Sequence, residues 1–439
     1  MNTNHCRDTK FFTLLSILAF ATVLSLPTRA AEQTEPPLSQ TEQSIVSWVT
    51  SRQDAMVDLL RTITNINSGS LNKSGLDTLR ELFADELRSL NFATTSLPGG
   101  QIEMPHCPGS DLSMDLADHL LATRSGVGTR VLLMGHMDTV FTPDSPFQEF
   151  SIADGVMRGP GVYDMKGGLV AMLFALQALD EFGLLANHNL SVLLNSDEEV
   201  GSLSSRTYLE QQALLHDYGL VFEGSAQNNM VRQRKGLGQA RLVVHGRASH
   251  AGSAHQDGRS AIRELAYKII EMESMTDYES GLTVNVGMVN GGEARNMVSP
   301  CAEAYVDLRY PQPQQGIAAQ QQFEAIANAQ YSIPEQSDEL RSEIWVNLHR
   351  PPKIPTPESD RLLQRTVAIG SLLGEQIGVA DSGGGTDGSL TQAVGLPTLD
   401  SLGVIGSGGH SQREQADLDS LVQVTTRFAV LLHRLLQEQ

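Results

Sequence analysis

Short apolar runs alternate with stretches of helical period through the first half of this chain, and that rhythm restricts it to an α/β architecture. Residues 130–134, 189–195 and 218–222 read as strands. Residues 44–64, 76–90, 166–182 and 202–215 read as helices. Strand alternating with helix argues for a largely parallel sheet covered by helices.

The rhythm changes near Arg234. A strand (238–246), a helix (258–275), two strands (282–289, 302–310), a helix (320–329) and a strand (343–348) follow in turn. The order β-α-β-β-α-β fits a small ferredoxin-like sandwich. A proline-bearing link (351–357) leads to a helix (359–373), a glycine loop (383–385), a short strand (397–400) and a last helix (416–438). The economical reading is one α/β domain interrupted by an insertion. The expected divisions are 1–30, 31–233, 234–345 and 346–439, since 439 residues exceed one ordinary core.

The first division reads as a leader. Arg7 and Lys10 precede an apolar stretch (11–26), and Thr28-Arg29-Ala30 offers a cleavage site after Ala30. The stretch is short for a membrane span. A secreted, periplasmic protein is expected, with no stable membrane association once the leader is removed. The net charge of −20 disfavours nucleic acid and anionic membranes as partners. Beyond residue 30 the chain keeps Cys107 and Cys301. They would be able to pair in an oxidising compartment, but two cysteines set no framework, and free structural thiols are the better reading.

Five segments carry the chemistry: Gly135-His136-Met137-Asp138, Tyr163-Asp164, Asp197-Glu198-Glu199, Phe222-Glu223-Gly224 and Gly409-His410-Ser411. Four follow an apolar run or a glycine turn, where a strand would end and a side chain would face a cleft. Each has a bland alternative: a polar strand end, a helix cap, an acidic surface turn or a loop. Together, two histidines and three carboxylates make a hard N/O donor set that favours zinc. A carboxylate placed like Asp164 can give one oxygen to each of two ions about 3.5–4 Å apart. Asp138, two residues beyond His136, would orient its ring. Of the adjacent Glu198 and Glu199, one can be a ligand while the other holds a water, and a carboxylate crowded by others is expected to have a raised pKa suited to a general base.

These segments resemble the co-catalytic zinc exopeptidase family of aminoacylases and acetylornithine deacetylases, and most of all its glutamate carboxypeptidases of the carboxypeptidase G type. Ser249-His250-Ala251-Gly252, Gly383-Gly384-Gly385-Thr386-Asp387 and Ser401-Leu402-Gly403 add to the similarity. The resemblance implies a zinc-exopeptidase catalytic domain with a mostly parallel sheet and an inserted ferredoxin-like α+β lid and dimerisation domain. It implies two Zn2+ per subunit, one held by His136, Asp164 and Glu223, the other by Asp164, Glu199 and His410. Glu198 would be the general base, Asp138 the orienting carboxylate and His250 the oxyanion donor, reaching across a homodimer interface. Asn296 and Arg309 would hold the substrate's terminal carboxylate. Met165 stands where many members have a second aspartate.

The expected activity is hydrolysis of the amide bond to a C-terminal amino acid, glutamate preferred, in a small peptide or N-acyl amino acid. An N-acyl amino acid amidohydrolase or dipeptidase is a second reading. A metal-binding module without catalysis is a third, and the presence of Glu198 weighs against it.

Overall fold

The computed structural model describes residues 35–108, 113–332 and 339–438; the expected leader lies outside the described residues. The central sheet has six strands in the order Ala93–Leu97, His119–Arg124, His188–Asn195, Val127–His136, Tyr218–Val221 and Thr398–Leu399. The last four run parallel, and the first two are added antiparallel. The three strands expected from their apolar runs are the three neighbours at its centre. The two antiparallel strands were not anticipated. Ala93–Leu97 lies at the edge with little of its length buried, so it shows no apolar alternation to find.

The helix Lys166–Glu181 is buried without interruption from Lys166 to Leu176, between the sheet and other helices. It lies against the last helix, Leu418–Leu436, and against Gln40–Thr50 and Gln53–Thr64. Gly168 near its start permits the contact with the sheet. A Cβ there would stand 2.0 Å from the carbonyl oxygen of Phe222. The expected single helix at 44–64 is two, broken at Ser51 and Arg52. The Ser51 hydroxyl donates to the Trp48 carbonyl at 2.7 Å, and such local bonds compete with helix continuation. Among the described residues, no helix is long and apolar enough to cross a membrane.

A second sheet is antiparallel throughout, in the order Thr283–Gly291, Cys301–Tyr310, Gly236–His245, Arg341–Arg350. The helices Ala261–Glu273 and Pro313–Asn328 pack on it around a separate apolar cluster that includes Leu242, Leu265, Leu308 and Phe323. Element order and strand order are those of a ferredoxin-like sandwich. The strand Arg341–Arg350 runs across residue 345, so we propose to place the return to the first domain after Arg350.

The cysteines correct an expectation. Cys107 and Cys301 are not free thiols but a disulfide, with Cα atoms 5.8 Å apart. The bond joins the connection between the paired strands Gly100–Glu103 and Ser113–Leu116 to the first residue of a sandwich strand. The two positions are 194 residues apart, and only the tertiary fold brings them together.

Candidate active site

Three parallel neighbours of the central sheet end side by side. His136 closes its strand, Asp197 to Glu199 follow Asn195, and Glu223 follows Val221 shortly after. Carboxyl ends of parallel strands are where α/β folds gather ligand-binding groups. Two further loops reach the same place from a small sheet of Gly406–Ser407, Gln415–Asp417, Val156–Arg158 and Ser151–Ala153. One carries Asp164 into the buried helix that follows. The other carries His410. Gly408 turns that loop with φ +79°, where a Cβ would strike the carbonyl of Arg413, and His410 itself has φ 61°. A non-glycine residue held there is uncommon and clusters at functional sites.

Asp164 stands between the two histidines. Its Oδ1 is 3.3 Å from His136 Nε2, and its Oδ2 is 3.2 Å from His410 Nε2. Glu223 lies on the His136 side, 3.9 Å from Nε2. Glu199 lies 3.0 Å from His410 Nε2. One ligand atom each of His136, Asp164 and Glu199 also fall within 4.8 Å of one another, so Glu199 is near both sides; its short contact assigns it to the His410 side. The structure therefore brings all five expected ligands together, with the two oxygens of one carboxylate facing different imidazoles.

Behind them, Asp138 is fully buried. Its carboxylate is 3.4 Å from His136 Nδ1, which also contacts the Asp138 carbonyl at 3.0 Å. The same carboxylate accepts the amides of Glu198 (3.2 Å) and Glu199 (3.1 Å) and the Ser70 hydroxyl (2.7 Å). It thus braces two segments of the site at once. Met165 is buried beneath, its sulfur accepting the His136 amide at 3.2 Å.

Charge is crowded here. Burial, then the neighbouring Asp164 carboxylate, pushes Glu199 up to about 8 and Glu223 well above the usual carboxylate range. Bonds to Asp164 and Glu199 hold His410 up to about 11. Burial opposes the charge of His136, yet its bonds to Asp138 and Asp164 win and raise it. So much buried negative charge asks for a cation, and three carboxylates with two imidazoles are the donor types a hard or borderline divalent ion takes. The residues fit a metal pair.

Glu198 departs from expectation. Burial acts to raise its pKa, but the charge of Arg350 and then of His136 more than offset it and leave it below the ordinary value. Arg350 was not foreseen. It is 1% exposed, and its Nη2 meets Glu198 Oε1 at 2.8 Å, Asp387 Oδ1 at 3.0 Å and the Ser202 hydroxyl at 2.8 Å. Asp387 is held in turn by Asn195 Nδ2 (2.7 Å) and Ser202 Oγ (2.6 Å). Asp387 sits in the quoted glycine motif, which was the only signal available. Nothing in sequence marks an arginine at the end of a sandwich strand.

The metal-ligand cluster opens into a cavity of about 580 Å³ that Arg234, Asp307, Arg309, His349 and Arg350 help to line. Arg309 thus lines the cavity, and its fork is taken by Asp307, Nε and Nη2 donating at 2.7 and 2.8 Å. Its Nη1 donates to the Gly383 carbonyl at 3.2 Å. His250 and Asn296 are not among the described residues that line the cavity. They are exposed neighbours beside the short ladder of Ser249–His250 and Met297–Val298, where the Ala251 amide donates to the Asn296 carbonyl at 2.9 Å. His250 Nδ1 accepts the amides of Gly252 and Ser253, both at 3.1 Å, which leaves Nε2 as the ring's donor.

The model of peptidase family M20/M25/M40 matches residues 132–434, a span holding every site residue named so far except Ser70. The chain belongs to that family. Carboxypeptidase G2 of Pseudomonas sp. (strain RS-16) is 28% identical over 381 residues, covering 85% of this chain and 87% of that protein. A tripeptidase from Staphylococcus aureus superposes with a TM-score of 0.67 at 22% identity, covering 88% of this chain and 99% of its own. A dinuclear metal-binding M20 peptidase from Bacillus subtilis gives a TM-score of 0.58 at 14% identity, over 88% and 99%. At those identities the two structures speak for the fold alone. As an M20/M25/M40 member the chain is a metal-dependent hydrolase of peptide or acyl-amino acid bonds.

Proposed function

We propose that this chain is a secreted, zinc-dependent carboxypeptidase that releases a C-terminal amino acid, glutamate preferred, from small peptides or N-acyl-glutamates. One observation carries the reading: the two oxygens of Asp164 face two different histidines. His136, Asp164 and Glu223 would hold one zinc ion, and Asp164, Glu199 and His410 the other. Bound there, the pair would polarise the scissile carbonyl and acidify a water. Glu198 takes the water's proton and returns it to the leaving amine. Arg350 holds Glu198 at the cavity wall, and Asp138 keeps His136 and the Glu198–Glu199 turn in register. Arg309 supplies a fork for the substrate's terminal carboxylate, for which Asp307 competes.

We further propose a homodimer. In one chain His250 and Asn296 lie outside the cavity, and a second copy is the route by which they would complete it. The sandwich offers a surface for this. Thr283–Gly291 is an edge strand with Met288 59% and Val289 54% exposed, and Ile262 and Ile270 are exposed on the adjoining helix. An edge of this kind is ordinarily covered. The sandwich would then serve as lid and dimerisation domain. Secretion is supported by the Cys107–Cys301 disulfide, which persists in oxidising compartments, and by the leader-like residues 1–30.

Asp307 favours a second reading. A cavity carboxylate would accept a substrate ammonium, as a dipeptidase requires. A panel of zinc-loaded assays separates the two. Carboxypeptidase action predicts that N-acyl-glutamates are cleaved, that amidating their terminal carboxylate slows turnover, and that Arg309→Ala loses far more on the free acids than on the amidated analogues. Cleavage of substrates with a free amine alone would overturn the proposal in favour of the dipeptidase.

A further inference from the structure

Glu414 is 1% exposed, and no step described so far uses it. Its carboxylate is pointed at backbone. Oε1 accepts the amides of Tyr163 (2.9 Å) and Asp164 (3.0 Å), and Oε2 accepts the amide of Gly161 (3.2 Å). Amides converging in this way form a nest for an anion, and here the chain supplies the anion itself. The nest sits in the turn that delivers Asp164. Glu414 belongs to the other ligand-bearing loop, four residues after His410, and that loop is closed by its own bonds. The Glu414 amide donates to the Ser411 carbonyl at 3.0 Å, and the Ser411 hydroxyl to the Gly408 carbonyl at 2.8 Å.

We infer that Glu414 is a positioning residue for Asp164: it staples the Gly161–Asp164 turn to the His410 loop and so sets how the shared carboxylate meets both histidines. The inference rests on the two-metal reading above. A small sheet already brings the two loops together, but its strands end before the ligands begin. Between those strands and the ligands, Glu414 is the side chain that reaches from one loop to the amide of the other loop's ligand. Without it three amides lose their acceptor in a largely buried place, and a buried donor left unpaired is destabilising. The turn would then relax, and Asp164 would no longer be held to one orientation.

The test is Glu414→Gln, which keeps size and shape but offers an amide nitrogen where one oxygen accepted. Zinc binding by wild type and variant is measured by competition with a chelating dye, alongside kcat and KM on an N-acyl-glutamate. The expected result is an unchanged circular dichroism spectrum, zinc affinity lowered about 10–100-fold as for other outer partners of ligands, kcat reduced and KM within threefold, with Glu414→Asp recovering part of the loss. Zinc affinity of Glu414→Gln within twofold of wild type at both sites would overturn the staple while leaving the two-metal reading intact. Wild type that fails to take up two zinc ions would overturn that reading and the staple with it. If Glu414→Gln does not fold, amide hydrogen exchange in the metal-free wild type decides: slow exchange at Gly161, Tyr163 and Asp164 upholds the staple, and exchange at unstructured rates refutes it.

Discussion

Replacing Arg350 by methionine tests the part of the site that only the structure supplied. The guanidinium lies between two buried carboxylates, 2.8 Å from Glu198 and 3.0 Å from Asp387. Asp387 keeps its bonds from Asn195 and Ser202 in the variant. Both carboxylates lose their ion pair, and the loss that bears on the proposed base is the one at Glu198. Removing one partner of a buried ion pair costs about 3–5 kcal/mol, because the other charge stays out of water. For about 400 residues the unfolding entropy near the transition is about 0.8 kcal/mol/K, so the melting temperature should fall by about 4–6 °C. Glu198 can escape that penalty by taking up a proton. Burial, which already acts to raise its pKa, would no longer be opposed by Arg350. The base would then be protonated over more of the acid range, and the acidic limb of the kcat profile should move to higher pH. Thermal melts and pH–rate profiles of wild type, Arg350→Met, Glu198→Gln and the double variant form a cycle that isolates the pair. Arg350→Met with an unchanged melt and an unmoved acidic limb would refute the assignment of Arg350 to Glu198.

Glu198→Gln should retain both metals and lose about 10²- to 10⁴-fold in kcat, the usual share of a general base; near-normal turnover would remove Glu198 from that role. Cys301→Ser opens a link across 194 residues, for which chain entropy predicts a loss of about 5 kcal/mol, read by denaturant melts of oxidised and reduced protein; equal stability of the two forms would show that the tether carries no load. Burial, and then the charge of Arg350, push the His349 imidazole down to about 3. Its folded value lies below its unfolded value, so the unfolded chain binds the extra proton. Its contribution is complete above about pH 6.5 and is lost as the pH falls from there towards 3. The melting temperature of metal-free protein should therefore drop across that window, and less steeply in His349→Asn; parallel curves would show that His349 plays no part.

The candidate ligands were legible in sequence because they sit at punctuation marks. His136 follows the run from Val131 to Met134, Glu223 follows Leu220 to Phe222, and His410 follows Gly408 and Gly409. Strand ends and glycine turns are local events, so a linear reading finds them. Asp138 was legible for the same reason, though its further grip on the Glu198 and Glu199 amides was not. The pKa of Glu198 went the opposite way from expectation because its sign depends on a cation 152 residues away along the chain.

Local pattern alone was enough to read the alternation of strand and helix, the ferredoxin-like order of the insertion and the donor types of the five candidate ligands, while the family resemblance supplied their roles. Period and punctuation are properties of neighbours along the backbone. The folded structure decided which groups face one another. It paired Cys107 with Cys301, set Arg350 between Glu198 and Asp387, gave the Arg309 fork to Asp307, and left His250 and Asn296 outside the cavity. Electrostatic and covalent partners are chosen by distance in space, and distance in space becomes defined once the sheet and the sandwich have packed.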